Sequence, residues 1–362
     1  MKYIFQLVKL ISLYNFLFVL ALINIFFSTE SSASKAFTIN DVELSTPFEN
    51  NFNKNKIVDE GFIQAYNQLI LSILQSKDQT KIIKTPLNQI KGMIETFSIK
   101  EEKFINEIYY LNLSVSFNKK NVFKILEEKN IFPSMPIKQN IIFIPIIIDE
   151  NKSEIKMFSE NPLFNSWNSE KNQYDLLNYI IPTEDLEDFN LVKKNIKNIE
   201  KFDFTTIVNK YNLNNYIIAI IFKNNEQIKL LNKMNLNDEI TINQIKLNKH
   251  NFDNKIEMNK LIKKLKISYE DYWKSKNEIN TSVKLSLNIS IENTNNIKIS
   301  KFEEKLSNID LIYKFNIYKF DNKNNFYKII FNGKPDKFLE VMSYQNYNFE
   351  IKNKIWVLND KS

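Results

Sequence analysis

The 362-residue chain has no cysteine, no arginine, three glycines and one histidine. Without cysteine it can form no disulfide, no thiolate metal site and no thiol nucleophile, so folding rests on burial alone. A bacterial lipid anchor, which needs a cysteine, is excluded as well. Glycine stands only at Gly61, Gly92 and Gly333. That supply is too small for the dinucleotide fingerprint or the P-loop, each of which uses several glycines to bring backbone against phosphate. The single His250 lies in the polar run "LNKHNF". With no second histidine to complete a metal site or a catalytic pair, it reads as a surface residue. No serine sits in a nucleophile elbow.

Lysine, asparagine, isoleucine and aromatic residues are present in bulk. All 49 basic residues are lysine, and the formal net charge is +7. The lysines are interleaved with aspartate and glutamate, the pattern of a solvated surface. The crowding of Asn, Ile, Lys, Phe and Tyr is what an AT-rich coding sequence produces. Lysine attracts phosphate as a point charge, but the lysines are scattered, and no nucleic acid is expected as a partner. With 43% apolar residues, 29 Phe and 16 Tyr, the chain can bury a sizeable core. Its length allows two or three domains at ~100 to 150 residues each. No cofactor is implied.

The amino end carries an address. Lys2 and Lys9 precede an apolar block from Phe16 to Ile23, which falls within the roughly 7 to 15 residues of a signal-peptide core and short of the ~20 that span a bilayer. The wider region Ile4 to Phe27 could cross a membrane only by burying Lys9, Asn15 and Asn24. Ser31, Ala33, Ser34 and Ala36 then supply the small residues a signal peptidase needs. Residues 1–36 are therefore expected to be a signal peptide, cleaved after Ala36 or, alternatively, after Ala33. An uncleaved anchor and a cytoplasmic protein with an unusual start are the other readings. The favoured ones place the bulk of the chain outside the cytoplasm, periplasmic or on the outer face of the inner membrane. The membrane is then touched only through this segment, if it stays uncleaved.

Along the rest of the chain, residues 37–139 read as β-α-β-β-α. "FTINDVEL" alternates as a strand, and "KIVDEGFIQAYNQLILSILQ" carries Ile57, Phe62, Tyr66, Leu69 and Ile73 at helical spacing. The apolar run "NIIFIPIIID", residues 140–149, would close a β-α-β-β-α-β order. Residues 281–358 repeat that order, so two ferredoxin-like βαββαβ modules are expected. Between them, residues 140–277 alternate wholly apolar strands with helices, implying a mostly parallel central sheet with helices on both faces. Two further strands, "QIKLLNKM" and "EITINQIKL", look antiparallel, and a long helix from Asp253 to Lys276 follows. The expected fold is thus a mixture of α/β and α+β.

Only carboxylates remain in quantity for acid-base chemistry, and "IPTEDLEDF" holds Glu184, Asp185, Glu187 and Asp188 in one cluster. After Pro182 and Thr183 they fall where a helix should start, where acidic side chains satisfy free N–H groups and the positive dipole end. Asp185 and Asp188 share a helix face and could alternatively hold a cation or act as an acid-base pair. In "ENPLFNSWN", Trp167 follows Leu163 by four residues on a helix started near Pro162. Such a pair is core as a rule, yet a tryptophan at the carboxyl end of a parallel strand can line a ligand cleft.

The ordered runs "FTINDVEL", "INEIYYLNLSVSF", "KILEEKNI", "IIFIPIIID", "NPLFNSWN", "IIPTEDLEDF", "KYNLNNYIIAIIF" and "DYWKSKN" resemble the exported bacterial proteins of the domain of unknown function 2066 family, over roughly Phe37 to Asn277. The resemblance implies an envelope protein and supplies no catalytic residue. Pro162, Trp167, Pro182, Asp185 and Asp188 are the positions that match its pattern. This chain departs from that family in being poor in Ala, Gly and Arg, so any role for an arginine cannot hold here. Two function classes follow. One is a non-catalytic module binding or scaffolding an envelope protein or a cell-wall or outer-membrane component. The other is a carboxylate-dependent envelope hydrolase, for which the sequence offers one acidic cluster and no facing partner.

Overall fold

Alternation and helical stripes become elements in the order the sequence suggests. In the computed structural model the described residues are 37–358 apart from 170, 225–226, 248–251, 253, 282, 294, 310 and 353–354. The expected signal segment and His250 lie outside them. The first unit runs β1 (Thr38–Pro47), α1 (Lys54–Ile73), α2 (Ser76–Ile82), α3 (Leu87–Met93), β2 (Ile94–Ile105), β3 (Ile108–Phe117) and α4 (Lys119–Glu128). Asn53 starts α1 by accepting from the backbone N–H groups of Asn55 and Lys56, and the stripe from Ile57 through Phe62, Tyr66 and Leu69 to Ile73 is buried against the sheet. The three strands are antiparallel in the order β1-β3-β2. In β3 the alternate residues Tyr109, Leu111, Leu113, Val115 and Phe117 enter the core, so the helices cover one face, and β2 is exposed along almost its whole length.

The run after this unit does not complete it. β4 (Gln139–Asp149) belongs to a second, six-stranded sheet with β5 (Glu154–Lys156), α5 (Pro162–Ser166), β6 (Leu177–Ile180), α6 (Leu186–Lys194), α7 (Thr205–Asn209), β7 (Tyr216–Lys223), β8 (Ile228–Leu236), β9 (Glu239–Leu247) and the long α8 (Lys255–Lys276). The reason lies in β4 itself. Ile141, Phe143 and Ile147 enter one core while Ile142, Ile144, Ile146 and Ile148 enter another. A strand buried on both faces needs cover on both, which the one-faced first sheet cannot supply. The first unit is therefore β-α-β-β-α without a fourth strand.

The order in this sheet is β5-β4-β7-β8-β9, with β6 also on β4. Only β4–β6 and β4–β7 are parallel, whereas β4–β5, β7–β8 and β8–β9 are antiparallel. The expectation of a mostly parallel sheet is corrected to a mixed one. A tight turn makes the β8–β9 pair antiparallel: Asn237 and Asp238 link the two strands with φ of 54° and 62°. That is the positive-φ pair a two-residue hairpin of type I′ requires. One face of the sheet packs α5 and α8, and the other packs α6 and α7.

The last unit comprises β10 (Leu285–Glu292), α9 (Asn296–Asn308), β11 (Ile312–Phe320), β12 (Asn324–Phe331), α10 (Pro335–Tyr344), β13 (Phe349–Lys352) and β14 (Ile355–Leu358). Its strand order is β11-β12-β10-β14-β13; β10 and β14 are parallel and the other pairs antiparallel. Phe302 and Leu306 of α9 share one core with Phe338 and Met342 of α10, so both helices lie on one face. Four strands were expected, with a split of the last one at Asn353 as the alternative; the run forms two strands, β13 and β14, paired antiparallel, which makes five. The described residues thus form a mixed α and β fold with three sheets and ten α-helices, none of which is long and apolar enough to cross a membrane.

Candidate functional site

The long helix α8 lines a cavity. Asn254 starts it by accepting from the N–H groups of Ile256 and Glu257. Its buried stripe, Met258, Leu261, Ile262, Leu265, Tyr269 and Trp273, packs on the central sheet. Its last turns reach the first unit. The Trp273 indole N–H donates to the Ile137 carbonyl at 2.8 Å, Lys274 donates to the Leu71 carbonyl, and the Asp271 carboxylate accepts from the backbone N–H of Ser76 at 2.7 Å and from its hydroxyl. A neighbouring row of the same helix, Asn259, Lys263, Lys266, Glu270 and Lys274, faces a cleft of about 350 Å³. That lies at the low end of the roughly 300–1,000 Å³ of small-molecule sites.

The inner wall begins with α5. Asn161, fully buried, accepts from the Leu163 N–H at 2.9 Å and donates to the Pro145 carbonyl at 3.0 Å. Pro162 occupies the first turn, where its missing N–H costs nothing. The helix delivers Trp167 onto Phe143, with ring centroids 3.7 Å apart and planes 20° apart, and edge-on to Tyr179 at 5.3 Å. Trp167 is 0% exposed, yet it also lines the cleft. Ser169, Asn172, Tyr174 and Asp175, which precede the amino end of β6, also line it. A cleft past the carboxyl strand ends was the expected place for it.

Polar groups on this wall are incompletely matched. Glu270, 7% exposed, accepts at Oε1 from the consecutive backbone N–H groups of Leu176 and Leu177, at 3.0 and 2.8 Å. Its Oε2 is buried without a partner, as are Trp167 Nε1 and, next to the Trp167 ring, the Tyr179 hydroxyl. Each unsatisfied buried group costs about 1–3 kcal/mol. Burial pushes the Glu270 carboxyl above its ordinary value of 4.5, against the opposing pull of the Leu177 N–H, Lys274 and the Leu176 N–H. Burial likewise pulls the Lys274 ammonium down, opposed by Glu270, Asp271 and Asp175. Both groups are biased toward their neutral forms. A second hollow of about 290 Å³, over the outer face of the first sheet, has one unmatched lining atom, Asn112 Oδ1, on a half-buried residue.

The acidic cluster stands elsewhere. Asp185 caps α6, accepting at Oδ1 from the N–H groups of Glu187 at 2.7 Å and Asp188 at 3.2 Å. Lys210, at the end of α7, donates at 2.7 Å to both Asp185 Oδ2 and Asp188 Oδ1. These bonds hold the Asp185 carboxyl below its ordinary range and raise the Lys210 ammonium. The cap and the shared lysine give the pair a structural employment, fastening α6 to α7. Pro182 is buried just before it, and the Thr183 N–H donates to the Tyr211 hydroxyl at 2.9 Å. These helices pack on the sheet face opposite Trp167. Trp167 and the Asp185–Asp188 pair are therefore not brought together.

The carboxylates that share the cleft with Trp167 are Glu270, Asp175 and Asp271, none of which stood out in the sequence. The available signal was Glu270 and Lys274, four residues apart and flanking Trp273 on an apolar stripe. No group of three His, Cys, Asp or Glu suited to a metal occurs among the described residues. Comparison with known proteins finds no family model and no curated protein that matches this chain.

Proposed function

We propose that this chain is an exported cell-envelope protein that acts as a binding module, holding a small ligand in the cleft under α8. The single observation that carries the reading is the combination of a cavity of about 350 Å³ with two lining side chains, Trp167 and Glu270, whose buried polar atoms lack partners. Folding gains nothing from leaving such atoms unmatched, whereas a ligand can match them. The basic start, the short apolar block and the small residues up to Ala36 support export. In this reading the last unit, with its order β11-β12-β10-β14, is a ferredoxin-like module that presents the protein to an envelope partner.

A carboxylate-dependent hydrolase is the second reading. It is favoured by Glu270, whose carboxyl is pushed above its ordinary value by burial, and by Asp175, which lines the same cleft. It requires turnover that Glu270→Gln abolishes while binding survives.

Two measurements test the proposal. Amino-terminal sequencing of protein from the envelope fraction should begin at Phe37 or Ser34, and an intact Met1 in washed membranes would instead mark an anchor. In a deletion strain, Asn259→Trp, which fills the cleft from a half-buried helix position, should fail to restore the lost phenotype. The double variant Asp185→Asn, Asp188→Asn should restore it, because asparagine keeps an oxygen for the capped N–H groups. The opposite pattern would move the site to α6.

A further inference from the structure

Resting on the reading of the cleft as a ligand site, we infer that its ligand is an uncharged polyhydroxylated molecule, a sugar either free or at the end of a glycan. Two residues that line the cleft each carry a buried polar atom without a partner: a donor, the Trp167 indole N–H, and a carboxyl oxygen, Glu270 Oε2. One neutral group satisfies both kinds of site. A hydroxyl accepts from an N–H and donates to a carboxylate, and if the carboxyl is protonated the same hydroxyl accepts from it. A ligand carboxylate would meet Glu270 with like charge, and a ligand ammonium has no lone pair to offer Trp167.

The charge of the walls points the same way. Lys263, Lys266 and Lys274 stand against Asp175, Glu270 and Asp271, so no net sign selects an ion. The balance is kept when Glu270 and Lys274 are both neutral, since two cations then face two carboxylates. Short hydroxyl and amide side chains complete the cleft, among them Ser76, Gln79, Ser169 and Asn172, while Leu71 and Ile262 offer apolar surface to the C–H groups of a ring. Clefts that hold ions with selectivity lean to one sign instead.

The test is calorimetry on the full chain with three kinds of probe. Glucose, N-acetylglucosamine and their disaccharides, with longer oligosaccharides beside them, represent the ligand class. Glutamate represents anions and spermidine cations. A sugar should bind, with oligosaccharides alone binding if the source is a glycan end. Trp167→Phe, which keeps a stacked ring and removes the N–H, should weaken that binding about tenfold, the loss expected for one hydrogen bond. Asn259→Ala is the second variant, at a half-buried position where folding is not at risk, and it should weaken binding several-fold. Sugar binding that neither variant changes would place the contact elsewhere and overturn the inference. Binding of glutamate or spermidine alone, lost in Asn259→Trp, would overturn the ligand class while the cleft reading stands. Binding of no probe would overturn both.

Discussion

Glu270 shows how one side chain can be held in tension by its surroundings. Two backbone N–H groups favour its ionised form and burial opposes it, and burial prevails. The native state therefore holds this proton more tightly than the unfolded chain does. Stability rises with pH only where the unfolded state binds more protons; between the ordinary 4.5 and the raised native value the sign is reversed, and stability falls as pH rises. Each pH unit across that window costs at most about 1.4 kcal/mol. Lys274 acts oppositely at the alkaline side, since its lowered native value means stability recovers as pH climbs toward 10.5. Replacing Glu270 with glutamine keeps an oxygen for Leu176 and Leu177 but cannot ionise. Urea midpoints measured across the acid-to-neutral range should show the gap between wild type and Glu270→Gln shifting against the wild type as pH rises. A constant gap would mean that Glu270 titrates as it does in the unfolded chain.

Among the elements, α1 approaches its sheet closely at Gly61, against the ends of two leucine side chains. A Cβ at Gly61 would lie 2.4 Å from Leu113 Cδ1 and 3.0 Å from Leu44 Cδ1. Alanine there would gain about 1 kcal/mol of helix propensity, and it would also overpack a core position where insertions cost about 1–3 kcal/mol. Gly61→Ala should therefore lower stability by up to ~2 kcal/mol. Pairing it with Leu113→Val should recover part of the loss, because the two sites share one contact. An increase in the melting midpoint for Gly61→Ala alone would show that Leu113 can move aside.

The elements best read from sequence are those with a local cause. The stripes of α1 and α8, the alternation of β1 and β3 and the cap at Asp185 are each decided by residues a turn or two apart. What failed needed information from a distance. The run of β4 announced burial on both faces, but nothing in it said which sheet would supply the cover. The direction of β8 and β9 was read, while their weight in making the sheet mixed rather than parallel was not. Glu270 was missed because a carboxylate on a lysine-rich helix looks solvated until the backbone of Leu176 and Leu177 packs against it and buries it.

For the whole molecule, α8 is where the first unit and the central sheet are joined. Ser134 pairs with Glu278, Met135 donates to the Asn277 carbonyl, and Ile279 donates to the Pro133 carbonyl, so the helix end is stitched to the chain that precedes β4. The cleft is a consequence of that joint, walled by residues from both sides of it. The most direct measurement of its purpose is native mass spectrometry of the full chain released gently from its own envelopes, wild type beside Asn259→Trp. A cleft that serves binding predicts a wild-type population carrying a discrete added mass that mild collisional activation removes, and a bare Asn259→Trp. Wild-type protein that is bare under conditions preserving known weak complexes, or an added mass that Asn259→Trp retains, would contradict it.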